Sequence, residues 1–368
     1  MKLEFKAAVL RAHGADLDIV PVRLDGPGER DVLVRIAATS LCHTDLEAQE
    51  GSLACPLPIV PGHEAAGVVQ WTGAAVSRVS VGEHVVLSWN PSCGACFYCR
   101  QRQPILCQPY RDGAARALHF DGRPRLFLDG EPLHQLMYAG TFAEMAVVTE
   151  DCAVPVPRGI PLNRACLIGC GVMTGVGAAL NVAKVQAGDS ASVIGCGAVG
   201  LSAIQGARLA GAETIAAIDR DPARLGLARA FGATHLLPAD EHLVERHAEL
   251  TGGRGADHVF EAAGNPAAFR ASLEIVRPGG QVVWLGKMGA GQELGLRWGS
   301  LMGEKRIVRA SYGGARPARD FPFLAQAYLD GRLLLDEYVT SHIALADVNT
   351  GLARLKRGQD VRSVIEFP

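Results

Sequence analysis

The chain has 368 residues, of which 48% are apolar and 20% are charged, and its formal net charge is −2. This length exceeds what one hydrophobic core usually serves, so two domains are expected, and the composition excludes a disordered or fibrous chain. The small net charge gives no reason to expect nucleic acid or an anionic membrane as a partner.

The first residues run into a strand-like stretch without an apolar leader, and no apolar run reaches the length of a membrane span. We therefore expect no secretory signal, no membrane helix and a cytoplasmic location. In that compartment the ten cysteines are expected to be metal ligands and buried thiols rather than disulfides.

The order of the predicted elements indicates an α/β protein with two kinds of domain. Short apolar and β-branched runs bounded by Gly and Pro predict strands over 5–10, 32–38, 65–71 and 84–88. Further along, predicted strands over 191–194, 214–218, 259–260 and 281–285 alternate with predicted helices over 198–210, 222–231 and 267–276. Such alternation predicts a doubly wound parallel sheet. Strand-like runs at 338–340 and 364–367 have the same mixed, strand-containing character as the N-terminal segment. The chain is therefore expected to rejoin the first domain there.

One group of cysteines is close in sequence, with the spacing C-x2-C-x2-C-x7-C. Zinc takes four tetrahedral ligands, and four thiolates leave no open position, so this group predicts a structural zinc that holds a loop. A core of buried thiols would not contain the intervening Gly and Pro, and a nucleic-acid-binding zinc ribbon would carry a basic excess that is missing here. The four residues are Cys93, Cys96, Cys99 and Cys107.

A second group is scattered, and consists of Cys42, His63 and Cys170. Spacing alone does not join them, and each by itself would be an ordinary core or surface residue. Together they form two thiolates and one imidazole, which leave a fourth position for water or substrate, as a catalytic zinc requires. Glu64 directly follows the histidine and is a candidate supporting carboxylate or transient ligand.

The glycines Gly195, Gly197 and Gly200 follow a predicted strand and open a predicted helix. In that setting they predict a turn that lets a dinucleotide pyrophosphate approach the helix N-terminus. Asp219 ends the next strand, where a carboxylate accepts hydrogen bonds from both ribose hydroxyls and repels a 2′-phosphate, so NAD is favoured over NADP. The neighbouring Arg220 weakens this preference, and a glycine-rich turn without a ligand is the alternative.

These motifs resemble those of the zinc-dependent medium-chain alcohol dehydrogenases, in the same order and at about the same spacings. The resemblance implies a GroES-like catalytic domain over 1–173 with a zinc lobe at about 90–110, a Rossmann NAD-binding domain over 174–312, and a return to the catalytic domain over 313–368. It implies two zinc ions per chain and the interconversion of a small alcohol with its aldehyde or ketone, by hydride transfer from an alkoxide that zinc stabilises. The long interval between Cys107 and Cys170 is similar to that of dimeric members, so a homodimer is expected.

The resemblance also implies roles for single residues. The Thr44 hydroxyl takes the proton of the alcohol, although an ordinary helix cap is the alternative. Residues implied to contact the cofactor are His43 and Arg362 at the pyrophosphate, Arg224 near the adenosine ribose, and Thr174 and Val199 at the nicotinamide. Residues implied to line the substrate pocket, with core packing as the alternative, are Leu53, Trp89, Met137 and Tyr312.

Two positions depart from the family pattern. Glu47 stands where many members carry a histidine that passes the proton to solvent; a carboxylate can do the same work, or it is only a solvated helix charge. Lys287 stands near the nicotinamide, where members usually carry a small apolar residue. It would contact an acidic or carbonyl substrate, or extend into water.

Three other functions stay open at this point. A thiol-adduct formaldehyde dehydrogenase is suggested by Arg111, which lies where such enzymes bind an anion, but Leu53 is apolar where an acidic residue would be expected. A biosynthetic imine or alkene reductase has only the departures at Glu47 and Lys287 in its favour. A non-catalytic nucleotide-binding protein is opposed by the complete ligand set for a catalytic zinc.

Overall fold

The computed structural model describes residues 1–289 and 291–368, and it divides the chain into two compact units. The first unit comprises Met1–Cys170 and Arg316–Pro368, and the second comprises Gly171–Ala315. The first is dominated by antiparallel strands and the second by a parallel sheet, which confirms the predicted fold class.

The strands of the first unit form two sheets. They are β1 Lys2–Val9, β2 Asp18–Asp25, β3 Asp31–Ser40, β4 Ile59–Val60, β5 Glu64–Thr72, β6 His84–Leu87, β7 Leu126–Leu128, β8 Glu131–Gln135, β9 Met145–Thr149, β10 Ala153–Pro155, β17 Val339–Ile343 and β18 Arg362–Glu366. One sheet has the order β1-β2-β7-β8-β4, and the other has the order β10-β6-β5-β3-β18-β17 with β9 also paired to β3. The C-terminal strand β18 runs antiparallel to β3, and Arg316–Pro368 belongs to the first unit.

Strand β3 is the centre of this unit. Its side chains are mostly buried, and Val32, Val34 and Ile36 pack in one core cluster with residues of β5 and β6. The β-branched residues that predicted this strand are therefore the ones that fill the core. The helices of the unit are α1 His43–Glu50, α2 Phe97–Arg100, α3 Gln108–Ala114, α4 Leu162–Ala165, α10 Pro317–Leu329 and α11 Val348–Lys356.

The second unit is a parallel sheet with the order β13-β12-β11-β14-β15-β16. Its strands are β11 Ser190–Ile194, β12 Thr214–Asp219, β13 His235–Pro238, β14 Ala256–Glu261, β15 Val276–Trp284 and β16 Arg306–Arg309. Its helices are α5 Gly171–Gly177, α6 Ala198–Leu209, α7 Pro222–Ala230, α8 Leu243–Leu250 and α9 Pro266–Ile275. The strand order reverses direction between β11 and β14, and in open parallel sheets ligands bind at the carboxyl ends of the strands at such a point.

Some elements carried little signal in the sequence. Strand β13 has only exposed or half-buried side chains, so it shows no apolar alternation. Helix α10 contains Pro322 in its interior, and an internal proline argues against a helix because it lacks the backbone donor.

Among the described residues, no single helix combines the length and the apolar character of a membrane span. One bent pair of helical segments, Leu162–Gly169 with Gly171–Ala183, has both when the two are taken together.

Candidate catalytic and cofactor sites

The scattered ligand set is brought together by the pairing of β3 and β5. Ser40 at the end of β3 lies opposite Glu64 at the start of β5, so the residues just beyond these positions, Cys42 and His63, become neighbours. Cys170 reaches them because a glycine precedes it. A Cβ on Gly169 would stand 2.9 Å from the Leu87 carbonyl oxygen, so only glycine lets this segment pass so close to β6.

The ligand atoms of Cys42, His63, Glu64 and Cys170 all lie within 4.8 Å of one another. The imidazole of His63 is fully buried, and its Nε2 has no hydrogen-bond partner among the described residues. A buried nitrogen without a partner is costly unless a ligand takes its lone pair. Two sulfurs, one imidazole and a carboxylate are donors that zinc prefers, so this cluster fits a catalytic zinc.

Asp45 organises the cluster, and sequence reasoning did not identify it. Its Oδ1 accepts the Gly62 N–H at 2.9 Å and lies 3.1 Å from Nδ1 of His63, while its Oδ2 accepts the Cys42 N–H at 3.0 Å. The carboxylate therefore leaves Nε2 of His63 as the nitrogen that faces the cluster, and it holds the backbone of Cys42. The sequence feature that could have identified it is its position three residues after Cys42, in the first turn of α1, where a carboxylate can cap the helix.

The charges of the cluster favour a cation at its centre. A hydrogen bond from the Cys170 thiol lowers the pKa of Cys42 despite burial. Burial opposes protonation of His63, but the negative charges of Asp45 and Cys42 outweigh it and raise its pKa. A metal ligand must be deprotonated, as the lowered pKa of Cys42 favours, and the negative charges of Asp45 and Cys42 that raise the pKa of His63 would also attract Zn²⁺.

Glu64 forms a buried ion pair with Arg362, whose Nη2 donates to Oε1 at 3.3 Å. Burial raises the pKa of Glu64 to about 8, although the charge of Arg362 opposes this. Its second oxygen, Oε2, is buried and has no hydrogen-bond partner in the part of the chain that the structure describes. The carboxylate therefore has one atom held by Arg362 and one atom available to the ligand cluster.

The four closely spaced cysteines also converge. The sulfur atoms of Cys93, Cys96, Cys99 and Cys107 lie within 4.8 Å of one another, and a tetrahedral zinc with Zn–S bonds near 2.3 Å would hold them about 3.8 Å apart. The Cys93 N–H donates to Sγ of Cys107 and the Cys96 N–H donates to Sγ of Cys93, both at 3.3 Å. A hydrogen bond from the backbone of Gln108 lowers the pKa of Cys96 to about 6. This cluster fits a closed structural zinc.

In the second unit the glycine motif forms a tight turn between β11 and α6. Gly195 has φ +93°, and a Cβ on Gly200 would lie 1.8 Å from the Gly195 carbonyl oxygen. Apart from its two chain neighbours, no described residue has an atom within 4 Å of a Cβ built on Gly197, which is the N-cap of α6. The turn therefore leaves open space at a helix N-terminus, which suits a pyrophosphate.

Asp219 is held at the end of β12 by two backbone donors. Its Oδ2 accepts the Cys196 N–H at 2.7 Å, and its Oδ1 accepts the Asp221 N–H at 3.0 Å. The first bond ties the carboxylate to the glycine turn itself. Arg224 lies 3.8 Å from Asp221, and no ion pair between Arg224 and Asp219 is found among the described residues.

The other predicted residues fall into two groups. In the first unit, His43, Thr44 and Glu47 belong to α1, Leu53 and Met137 pack against one core cluster, and Trp89 is buried. In the second unit, Thr174 lies on α5 and Val199 on α6, and Gly175 of α5 comes so close to α6 that its Cβ would lie 2.3 Å from the Val199 carbonyl oxygen. Tyr312 is buried and Lys287 is exposed.

Comparisons with known proteins agree with this arrangement. Residues 28–158 match the alcohol dehydrogenase GroES-like domain family, and residues 198–328 match the zinc-binding dehydrogenase family. The chain is 36% identical to an S-(hydroxymethyl)glutathione dehydrogenase of Synechocystis sp. over 99% of this chain and 100% of the relative. It is 36% identical to an alcohol dehydrogenase class-3 of Myxine glutinosa over 98% of this chain and 97% of the relative.

Solved structures resemble the whole chain. An alcohol dehydrogenase zinc-binding domain protein from Burkholderia ambifaria has a TM-score of 0.96 at 36% identity, and a benzyl alcohol dehydrogenase from Acinetobacter calcoaceticus has a TM-score of 0.94 at 30% identity. Both comparisons cover 100% of each chain. The chain therefore belongs to the zinc-dependent medium-chain alcohol dehydrogenase family, whose members use zinc and NAD to interconvert alcohols with aldehydes or ketones.

Proposed function

We propose that Cys42, His63 and Cys170 form the reacting centre of this alcohol oxidoreductase, with Glu64 as a supporting carboxylate. The observation that carries the proposal is the fully buried Nε2 of His63, which has no hydrogen-bond partner within residues 1–289 and 291–368, in a cluster whose ligand atoms, two thiols included, lie within 4.8 Å of one another. These residues would hold zinc, which would supply a Lewis acid that lowers the pKa of an alcohol hydroxyl, and bound NAD would supply the hydride acceptor.

The experiment is a comparison of Cys170→Ser with the wild type by metal count and turnover. The wild type is expected to hold two zinc ions per chain when purified without chelator. The variant is expected to lose alcohol oxidation while its circular dichroism and thermal transition persist. Wild-type turnover by Cys170→Ser, or a single zinc in freshly purified wild type, would contradict the proposed reacting centre.

The proton of the alcohol leaves through α1. Thr44 and Glu47 are three residues apart on this helix, so their side chains lie next to each other on one face. Both are half-buried, which suits a chain of proton transfers from a shielded group to solvent. Thr44 accepts the proton first and Glu47 passes it outward.

The cofactor is NAD, and Asp219 selects it. Its carboxylate, held by Cys196 and Asp221, would repel a 2′-phosphate because both groups are negative. Replacing Asp219 with Gly is expected to raise the kcat/KM ratio of NADP to NAD, and a wild type that already prefers NADP would contradict this role. Further proposed cofactor contacts are His43, Arg362, Arg224, Thr174 and Val199.

The substrate is a small alcohol or its carbonyl product, in a pocket for which Leu53, Trp89, Met137, Lys287 and Tyr312 are the proposed lining. A thiol adduct of formaldehyde is a second candidate, because S-(hydroxymethyl)glutathione dehydrogenases are among the relatives at 36% identity. Arg111, the predicted anion contact, has its guanidinium 5.1 Å from the centre of the Tyr98 ring. NADH formation with S-(hydroxymethyl)glutathione, and its loss in Arg111→Gln, would favour this candidate.

The assembly and the location follow from family resemblance. We expect a homodimer and a cytoplasmic protein, and we assign the catalytic domain to 1–173 with 313–368 and the NAD-binding domain to 174–312. Light scattering of the purified chain tests the dimer directly.

A further inference from the structure

The proposed reacting centre contains one buried positive charge, the guanidinium of Arg362. This side chain is 4% exposed, and its Nη2 donates to Oε1 of Glu64 at 3.3 Å. Burial opposes the charge, but the negative charges of Glu64, Cys42 and Cys170 outweigh it and raise the pKa of the guanidinium. A positive charge in this place attracts the Glu64 carboxylate and repels a metal ion, so the position of the guanidinium decides how far that carboxylate is available to the metal.

The turn that leads into Arg362 is held by the side chain of Asp360. Its Oδ2 accepts the hydroxyl of Ser363, the residue after Arg362, at 2.9 Å. The Thr340 hydroxyl lies 3.2 Å from both Oδ1 of Asp360 and the Arg362 carbonyl oxygen. The same hydroxyl accepts the Val361 N–H at 3.1 Å. The residues before and after the arginine are therefore bonded, directly or through one hydroxyl, to a single carboxylate.

Asp360 is itself oriented by Arg354 of α11. Nε of Arg354 donates to Oδ2 of Asp360 at 2.7 Å, and Nη2 donates to Oδ1 at 2.8 Å. Two parallel bonds of this kind fix the plane of a carboxylate as well as its position. The side chain of Asp360 is 1% exposed, whereas that of Arg354 is 41% exposed, so the arginine approaches a buried carboxylate from the surface.

The same turn is joined to the ligand cluster through the backbone. The Ser363 carbonyl oxygen accepts the Leu41 N–H at 3.0 Å, and Leu41 directly precedes Cys42. The turn held by Asp360 therefore reaches the proposed reacting centre twice. It contacts the backbone next to one proposed ligand, and it carries the guanidinium of Arg362.

We propose that Asp360 is a positioning residue of the reacting centre, which holds the Arg362 guanidinium on Glu64. Held in this way, the Glu64 carboxylate is kept out of the position that the metal ligands leave for the alcohol. Without Arg362 beside it, Glu64 would be a buried carboxylate that has lost its ion pair, and a zinc ion in the cluster would be its remaining partner. Asp360 acts here on the proposed reacting centre, so the inference rests on the proposed function.

Asp360→Asn is expected to change zinc retention and turnover in opposite directions. The amide has one acceptor oxygen, and its NH₂ opposes either the Arg354 fork or the two hydroxyls, so the turn loosens. The zinc of the reacting centre should then withstand a chelator concentration about threefold to tenfold above that for the wild type, the size of one net hydrogen bond. The kcat/KM for the alcohol should fall by a similar factor, because Glu64 competes with the alcohol. A turn that only lost stability would release zinc earlier instead.

The test measures zinc retention during titration with a chelator, together with alcohol oxidation. Arg354→Gln changes the half-exposed partner and is expected to show the same two effects, so the test does not depend on the folding of Asp360→Asn. Asp330→Asn is the matched control, because Asp330 pairs with Arg332 at 2.9 Å on the surface of the same unit, and it should retain wild-type values. In an Arg362→Gln background, Asp360→Asn should add no further effect, since a residue that acts through Arg362 has no effect without it.

Unchanged zinc retention in folded Asp360→Asn and Arg354→Gln overturns the inference and leaves the proposed function intact. Earlier release of zinc by both variants does the same, because it assigns the pair to stability alone. A full additional effect of Asp360→Asn in the Arg362→Gln background also overturns it, since Asp360 then acts by another route. A wild type that holds zinc in the cysteine lobe but none in the reacting centre overturns the proposed function and this inference together.

Discussion

Asp45→Asn changes a residue that supports the catalytic cluster but is not one of its proposed zinc ligands. The carboxylate has three partners, namely the backbone N–H groups of Cys42 and Gly62 and the imidazole of His63. An asparagine has the same shape but only one acceptor oxygen. If that oxygen still contacts the Gly62 N–H and Nδ1 of His63, the amide NH₂ faces the Cys42 N–H. Two hydrogen-bond donors then oppose each other.

The magnitude follows from this geometry. Asp45 is 1% exposed, so water does not replace the lost acceptor, and an unsatisfied buried donor costs about 1–3 kcal/mol of unfolding free energy. The imidazole also loses a charged partner that orients it. Removal of such a partner typically lowers metal affinity or activity by about 10- to 100-fold.

The assay is zinc retention during titration with a chelator, followed by turnover with excess zinc. Asp45→Asn is expected to release one zinc per chain at a chelator concentration about 10- to 100-fold below that for the wild type, while the second zinc stays. Glu50→Gln is the control, because Glu50 lies on the same helix but pairs with Lys356 at the exposed surface at 2.7 Å. Such surface pairs contribute at most about 1 kcal/mol. If Asp45→Asn retains both zinc ions and full turnover at the chelator concentrations at which Glu50→Gln retains them, Asp45 does not support the catalytic cluster.

Three further predictions concern separate parts of the chain. Cys93→Ser is expected to lose one zinc and to lower the thermal transition, because the loop loses its metal closure; two zinc ions in the purified variant would contradict this. Thr44→Val is expected to slow alcohol oxidation more than Glu47→Gln does, and the slowing by Glu47→Gln is expected to be about 100-fold or less and largest at low pH. An unchanged pH–rate profile for Glu47→Gln would mean that the proton leaves by another route. Burial lowers the pKa of His247, which lies 2.8 Å from the Ser192 hydroxyl, to about 4. As the pH falls from about 6.5 to 4, His247 is therefore protonated in the unfolded chain but still neutral in the folded chain. The unfolding free energy should drop by about 3 kcal/mol over that window. Denaturant titrations at pH 7 and pH 5 should show a smaller loss in His247→Gln, and an equal loss in both proteins would exclude this histidine as the cause.

Local patterns were sufficient for the parts of the molecule that a few consecutive residues build. The cysteine lobe follows from ligands that one loop wraps around one ion, as the convergence of Cys93 and Cys107 illustrates. The glycine turn follows from backbone conformations and close contacts within a few residues, as at Gly195 and Gly200. The alternation of strands and helices likewise predicted the parallel sheet.

Other features depend on contacts between distant segments. Strand pairing between β3 and β5, together with the close approach of Gly169 to β6, brings Cys42, His63 and Cys170 together, and before this only the family resemblance joined them. Asp45 had a weak local signal at the start of a helix, but its bonds to Gly62 and His63 depend on that same pairing.

Asp360 had no signal in the sequence at all, because an aspartate in a polar loop is ordinary. Its partners Arg354 and Thr340 come from separate segments of the chain, and their contacts arise only when those segments pack. Spacing along a chain determines what a single loop or turn can bind. The side chains that support a ligand or face a substrate are determined by long-range packing. Many segments have a similar composition, and only the folded chain decides which of them lie next to each other.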